Sequence, residues 1–180
     1  MRPPLAALAA LISALALSPS ATGEAWEVKA GLGPSFGTEA SEQRKQGLGG
    51  QVYLDVGLSD FVSLSAAGGY VSHFFGPGLG YDLAHAGIGV TANLDVLIFG
   101  VGLAWVPYAT VRLGFLQVDT RDQAADPGFG LALGVGLDYI WDESYSMGFS
   151  LEYHGMLTDL DGLPAYLGIS LRLGLRWLDW

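Results

Sequence analysis

Leu167-Gly168-Ile169-Ser170-Leu171-Arg172-Leu173-Gly174-Leu175-Arg176-Trp177 alternates without a break. Every odd position is a large apolar residue, and every even one is glycine, serine or arginine. In an extended chain successive side chains point to opposite sides, so this segment has one greasy face and one polar or empty face. A helix would scatter the same residues around its axis. The pattern recurs upstream. Phe129, Leu131, Leu133, Val135, Leu137, Tyr139 and Trp141 alternate with Gly128, Gly130, Ala132, Gly134, Gly136 and Asp138, with Ile140 the one bulky exception. Met147, Phe149, Leu151 and Tyr153 alternate with Gly148, Ser150, Glu152 and His154, and Val52, Leu54, Val56 and Leu58 with Gln51, Tyr53, Asp55 and Gly57. Weaker versions cover Trp26–Phe36, Val62–Tyr70, Ala84–Leu94 and Trp105–Phe115.

These segments make eight strands. Short links are expected at Ser59-Asp60 and Asp142-Glu143-Ser144, with a third near Phe99–Gly102. Val96–Val111 is uncharged and largely apolar, but Gly100, Gly102 and Pro107 interrupt it. It reads as two strands flanking an apolar turn. Long polar links are expected at Thr38–Gln46, His73–Asp82, Asp119–Pro127 and Thr158–Pro164. Four long links alternating with three short ones predict an all-β, eight-stranded antiparallel up-and-down barrel with both ends of the chain on the short-link side.

A soluble barrel also alternates, so the second face decides its setting. A water-exposed face carries roughly a quarter to a third Lys, Arg, Asp and Glu. Here that face is mainly Gly, Ser, Thr and Ala, and the chain has only two lysines, Lys29 and Lys45. Such residues suit the interior of a narrow barrel, where eight strands leave just enough room for side chains. The Leu, Val, Ile and Phe face suits lipid, so the barrel reads as transmembrane. Trp26, Tyr70, Trp105, Tyr139, Trp141, Trp177 and Trp180 lie mostly near strand ends, as interfacial girdles do. Lys29, Asp55, Arg112, Asp138, Glu152, Arg172 and Arg176 are then expected to face the lumen. Buried charges need partners. The cations are expected to pair with Asp55, Asp138 and Glu152, helped by Gln51, Tyr53, Asn93 and Tyr108, in a network that plugs the barrel.

Composition agrees. Of 180 residues 51% are hydrophobic and 14% charged, against about 25% charged in an average soluble domain. The absence of cysteine excludes a disulfide framework and any thiolate metal site. The net charge of −10, with Glu39, Glu42, Asp119, Asp122, Asp126, Asp159 and Asp161 in the expected links, argues against nucleic acid as a partner. At the start, Arg2 precedes the apolar run Leu5–Leu17 and then Ser18-Pro19-Ser20-Ala21-Thr22-Gly23. A run of this length is short of the ~20 residues that span a bilayer as a helix. It reads as a signal peptide over residues 1–23, cut after Gly23 with Ala21 and Ala25 as alternatives, which leaves a barrel domain over 24–180.

On these residues, on a strand opening Trp105-Val106-Pro107-Tyr108-Ala109, and on a terminal aromatic, the chain resembles the small outer-membrane barrels typified by the OmpA transmembrane domain and OmpX. The resemblance covers Glu24 to Trp180. It implies the Gram-negative outer membrane, a monomer, lipid and lipopolysaccharide as surroundings, and a last strand read by the barrel-assembly machinery. Gly174 and Trp177 fit that last-strand signal; Trp180 has the opposite parity. The expected role is structural or surface-interacting, without a cofactor or metal. Two alternatives are a lipid-modifying enzyme using Glu152, His154 and Ser150, and a narrow channel or small-ligand carrier. The His-x-Ser arrangement of lipid A deacylases is absent, because Met156 follows His154 on its face. His73 reads as part of an aromatic loop base, and Asp119, Asp122 and Asp126 as a solvated acidic loop.

Overall fold

The computed structural model describes residues 27–39, 46–59, 61–75, 80–99, 104–120, 127–141, 144–158 and 165–178. The signal segment 1–23, Asp122, Asp126 and Trp180 lie outside them. The strands are β1 (Glu27–Glu39), β2 (Gln46–Ser59), β3 (Val62–Phe75), β4 (Tyr81–Asn93), β5 (Trp105–Thr120), β6 (Gly128–Ile140), β7 (Tyr145–Met156) and β8 (Ala165–Leu178). Each pairs antiparallel with its sequence neighbours, and β1 pairs with β8, which closes the barrel. Closure removes both sheet edges, so no backbone row is left to be satisfied by water.

The register fixes the tilt. Following directly opposed residues once around the barrel runs Lys29, Asp55, Ser65, Gly89, Arg112, Ala132, His154, Tyr166 and back to β1 at Glu39. The circuit returns ten residues along β1 from where it began (39 minus 29). Ten residues climb about 33 Å, while eight strand spacings cover about 38 Å, giving a strand tilt of about 40°. The β1–β8 ladder skips Gly33 and Pro34. Pro34 has no N–H to donate there, which confines proline in a sheet to such places.

The two faces separate cleanly along each strand. On β8, Leu171 and Leu173 are 58% and 55% exposed while Arg172 between them is 6% exposed. On β5 and β6, two outward aromatic pairs mark the limits of the apolar wall. Trp105 and Tyr139 are directly opposed with rings 4.7 Å apart, and Phe115 and Phe129 are opposed at 5.6 Å. Trp105 and Phe115 are ten positions apart, about 26 Å along the barrel axis at this tilt, which matches the ~25 Å apolar band of a transmembrane barrel. A closed barrel with this exterior and a polar interior suits a lipid surrounding. In such barrels the short-link end faces the periplasm.

Two features differ from the sequence reading. The strands run further at the long-link end, so His73 belongs to β3, opposite Tyr81, and not to a loop base. The ladder hydrogen bonds continue through these positions, although the side-chain alternation that signals a strand is weak there. At the other end, the expected turn near Phe99–Gly102 begins earlier and contains a helix, α1 (Leu94–Phe99). β4 stops at Asn93, opposite Tyr108, and the β3–β4 pairing ends at Val62↔Ala92. Beyond Asn93 the chain has no β3 partner left, and a helical turn satisfies its amide groups internally. Val96–Phe99 is therefore not strand.

Candidate functional site

The lumen holds the clustered chemistry among the described residues. Lys29, Asp55, Arg112, Asp138, Glu152 and Arg172 are all buried in it. Arg176 is half-buried. By register Lys29 stands between Asp55 on β2 and Arg176 on β8. Arg172 is the centre of the short-link half. Its Nη2 donates to Asp55 Oδ2 at 2.9 Å, and its Nη1 lies 3.7 Å from Asp138 Oδ2. Asp55 and Asp138 sit on β2 and β6, so this bridge crosses the barrel.

Two tyrosines clamp the same guanidinium. Its carbon lies 3.7 Å from the centroid of the Tyr53 ring and 4.7 Å from that of Tyr108, within cation–π range. Glycines make room for both rings. Tyr53 is opposed by Gly31, which is itself opposed by Gly174 on β8. A methyl group at either glycine would collide with the Tyr53 ring or its hydroxyl. Tyr108 is opposed by Gly136, where a methyl group would meet the Tyr108 ring. The rings therefore lie against the wall and leave the centre to Arg172. Gly174, expected only as part of an assembly signal, also has this packing role. Trp177 points outward and is exposed.

A second cluster fills the middle. Arg112 Nη2 and Glu152 Oε1 form an ion pair at 2.5 Å, and His154 Nε2 is 3.4 Å from Glu152 Oε2. Arg112 Nη1 donates to Ser65 Oγ at 3.4 Å. The His154 ring stacks on Tyr166 at 4.2 Å and meets His85 edge-on at 4.9 Å. A cavity of about 20 Å³, room for about one water, touches His85, Arg112 and His154. Ser150 does not join this group; it accepts a 3.5 Å hydrogen bond from Gln51 Nε2. Toward the long-link end, Tyr81, Leu83, Leu116 and Tyr166 form a buried apolar cluster packed by Val118 and Met156. His73 stacks on Tyr81 at 4.4 Å beside it.

This apolar cap escaped the sequence reading. Leu83, Leu116 and Tyr166 fall just beyond the segments where alternation is clear. Their inward parity was available once the strands were extended by a few residues. Asp119 proves to be a β5 residue that accepts a 3.0 Å hydrogen bond from Gln117. No group of three or more His, Asp or Glu able to hold a metal ion occurs among the described residues.

No family model and no curated protein matches the sequence. The fold does match solved structures. Neisserial surface protein A superposes with a TM-score of 0.65 at 13% identity over 85% of this chain and 97% of that one. Ail, the attachment invasion locus protein of Yersinia pestis, gives 0.55 at 14% over 85% and 98%. The N-terminal β-barrel domain of Pseudomonas aeruginosa OprF gives 0.53 at 16% over 85% and 97%. The chain thus has the fold of the small eight-stranded outer-membrane β-barrels.

Proposed function

We propose that this chain is a monomeric, non-enzymatic barrel of the Gram-negative outer membrane that acts through its exterior and its long links, with the lumen as a rigid filler. The observation that carries this reading is the side-chain bridge from Asp55 through Arg172 to Asp138, stacked below the Arg112–Glu152–His154 group and the apolar cap. These three layers occupy the lumen and argue against a conduction path. Glu152 is committed to Arg112, and Ser150, the nucleophile weighed for the Glu152–His154 pair, to Gln51, which speaks against hydrolysis through that set.

That leaves the long links and the outer wall as working surfaces. The links are rich in Asp and Glu within a chain of net charge −10. Ail has been crystallised with a heparin analogue; the acidic links here favour basic surfaces, or the cation-bridged phosphates of lipopolysaccharide, over a polyanion. The last strand, with Gly174 and Trp177, would be presented to the barrel-assembly machinery during insertion. The test is expression in a Gram-negative host together with reconstitution in planar bilayers. Unchanged lipid A and no discrete conductance steps are expected. A new lipid A species would overturn the non-enzymatic assignment, and steady ion conductance the filled-lumen assignment.

A further inference from the structure

The three short-end links differ in chemistry. Ser59-Asp60 and Asp142-Glu143-Ser144 are polar and acidic, whereas nothing from Val96 to Val111 carries a charge. Within that third link, Ile98 and Phe99 of α1 are 64% and 60% exposed, while Asp95 is buried. Two exposed apolar residues at the end of a six-residue helix would be a poor surface for the aqueous periplasm.

The register gives their depth. β4 ends at Asn93 opposite Tyr108, whereas β5 continues for three more residues to Trp105. The start of α1 therefore occupies the level at which β4 would have continued beside Trp105, one of the two girdle rings on this side. On the β3 side, the Asn93 amide donates to the Phe61 carbonyl at 2.9 Å. Phe61 and Trp105, both exposed, thus flank the point where α1 leaves the wall. The apolar belt of the barrel does not stop at the girdle here; it continues into α1. At the far end the outward faces of β4 and β5 turn polar, while Phe74 on β3 stays exposed. Ser72 Oγ donates to Asp82 at 2.6 Å, and Asp82 is directly opposed by Asp119.

We propose that α1 is an interfacial foot: Ile98 and Phe99 enter the boundary between headgroups and acyl chains of the periplasmic leaflet and seat this side of the barrel deeper in the bilayer. The partner is phospholipid, because the patch is continuous with the lipid-facing wall and has no charge with which to recruit a polar surface. The inference rests on the transmembrane reading of the barrel and not on the role proposed above.

The chain has no cysteine, so single spin labels are unambiguous. Ile98→Cys and Phe99→Cys are labelled and reconstituted in nanodiscs of phosphatidylethanolamine and phosphatidylglycerol. Ser144→Cys on a polar link and Ile88→Cys on the mid-wall serve as references, and heat-modifiable gel migration checks that each variant is folded. Collision rates are read with oxygen and with a water-soluble nickel chelate. Labels at 98 and 99 are expected to meet the chelate at least fivefold less than the label at 144, while remaining open to oxygen as at 88. Chelate access equal to that at 144 would place α1 in water and overturn the proposal. So would shielding from both reagents that grows with protein concentration, because a second copy would then cover the patch. A chelate-accessible label at 88 would sink the transmembrane reading and the foot with it.

Discussion

Replacing Arg172 with methionine removes the cation between Asp55 and Asp138 while keeping most of the side-chain volume. At an effective dielectric of about 20, the 2.9 Å and 3.7 Å contacts amount to about 6 and 4.5 kcal/mol of gross attraction. Desolvation of three buried charges and repulsion between the carboxylates offset much of this. What remains after the substitution is two buried carboxylates facing Tyr53 and Tyr108 without their guanidinium. Removing one partner of a buried pair costs about 3–5 kcal/mol, and loss of the tyrosine stacking acts in the same direction. The assay is urea unfolding of protein refolded into lipid vesicles, followed by tryptophan fluorescence and gel migration. The variant Arg172→Met should lose about 3–5 kcal/mol. Adding Asp55→Asn and Asp138→Asn should restore most of it, because neutral side chains of similar shape no longer need the cation. A loss below about 1 kcal/mol, within the range of an exposed ion pair, would refute the reasoning. So would a triple variant no more stable than the single one.

Further expectations follow from the two faces and the glycine wall. Gly174→Val should destabilise the barrel by about 1–3 kcal/mol through overpacking against Tyr53, and adding Tyr53→Leu should shrink the loss in the same unfolding assay; equal losses in both backgrounds would refute the packing account. Leu171→Arg, on the wall, should cost about 2–4 kcal/mol if the position lies near the bilayer midplane; a cost under half of that would argue against lipid contact. Glu152→Leu, which strands Arg112, should cost more than Glu152→Gln, which keeps an acceptor for it, and the reverse order in urea titrations would contradict the Arg112–Glu152 assignment. The refolded chain should migrate differently on gels before and after boiling and should require detergent or lipid to fold, so a stable fold in buffer alone would defeat the membrane assignment.

Much of this was legible without coordinates. A period of two needs only neighbours in the chain, so Leu167–Trp177 declared which residues share a face and that one face is greasy. Glycine and serine on the other face, with few charges, separated a lumen from a water-exposed surface. Link lengths ordered the strands. Weak alternation hid the strand ends, and with them Leu83, Leu116 and the inward position of His73. In Val96–Phe99 the run of apolar residues looked like more strand, but strand there requires a partner, and β3 has none left to offer.

What only the tertiary structure decided is which inward residues meet. Parity places Asp55, Asp138, Arg172 and Arg176 in one lumen and cannot choose among their pairings. The ladder through β1 leads from Asp55 to Lys29 and on to Arg176. Asp138 reaches Arg172 along the ladder, over Gly148, but Asp55 bridges to Arg172 four positions from Arg176 along β8. The reason is the ten-residue stagger on closure. Tilted strands bring to one height residues that no local pattern aligns, and that stagger is a property of the closed ring, which no single segment carries.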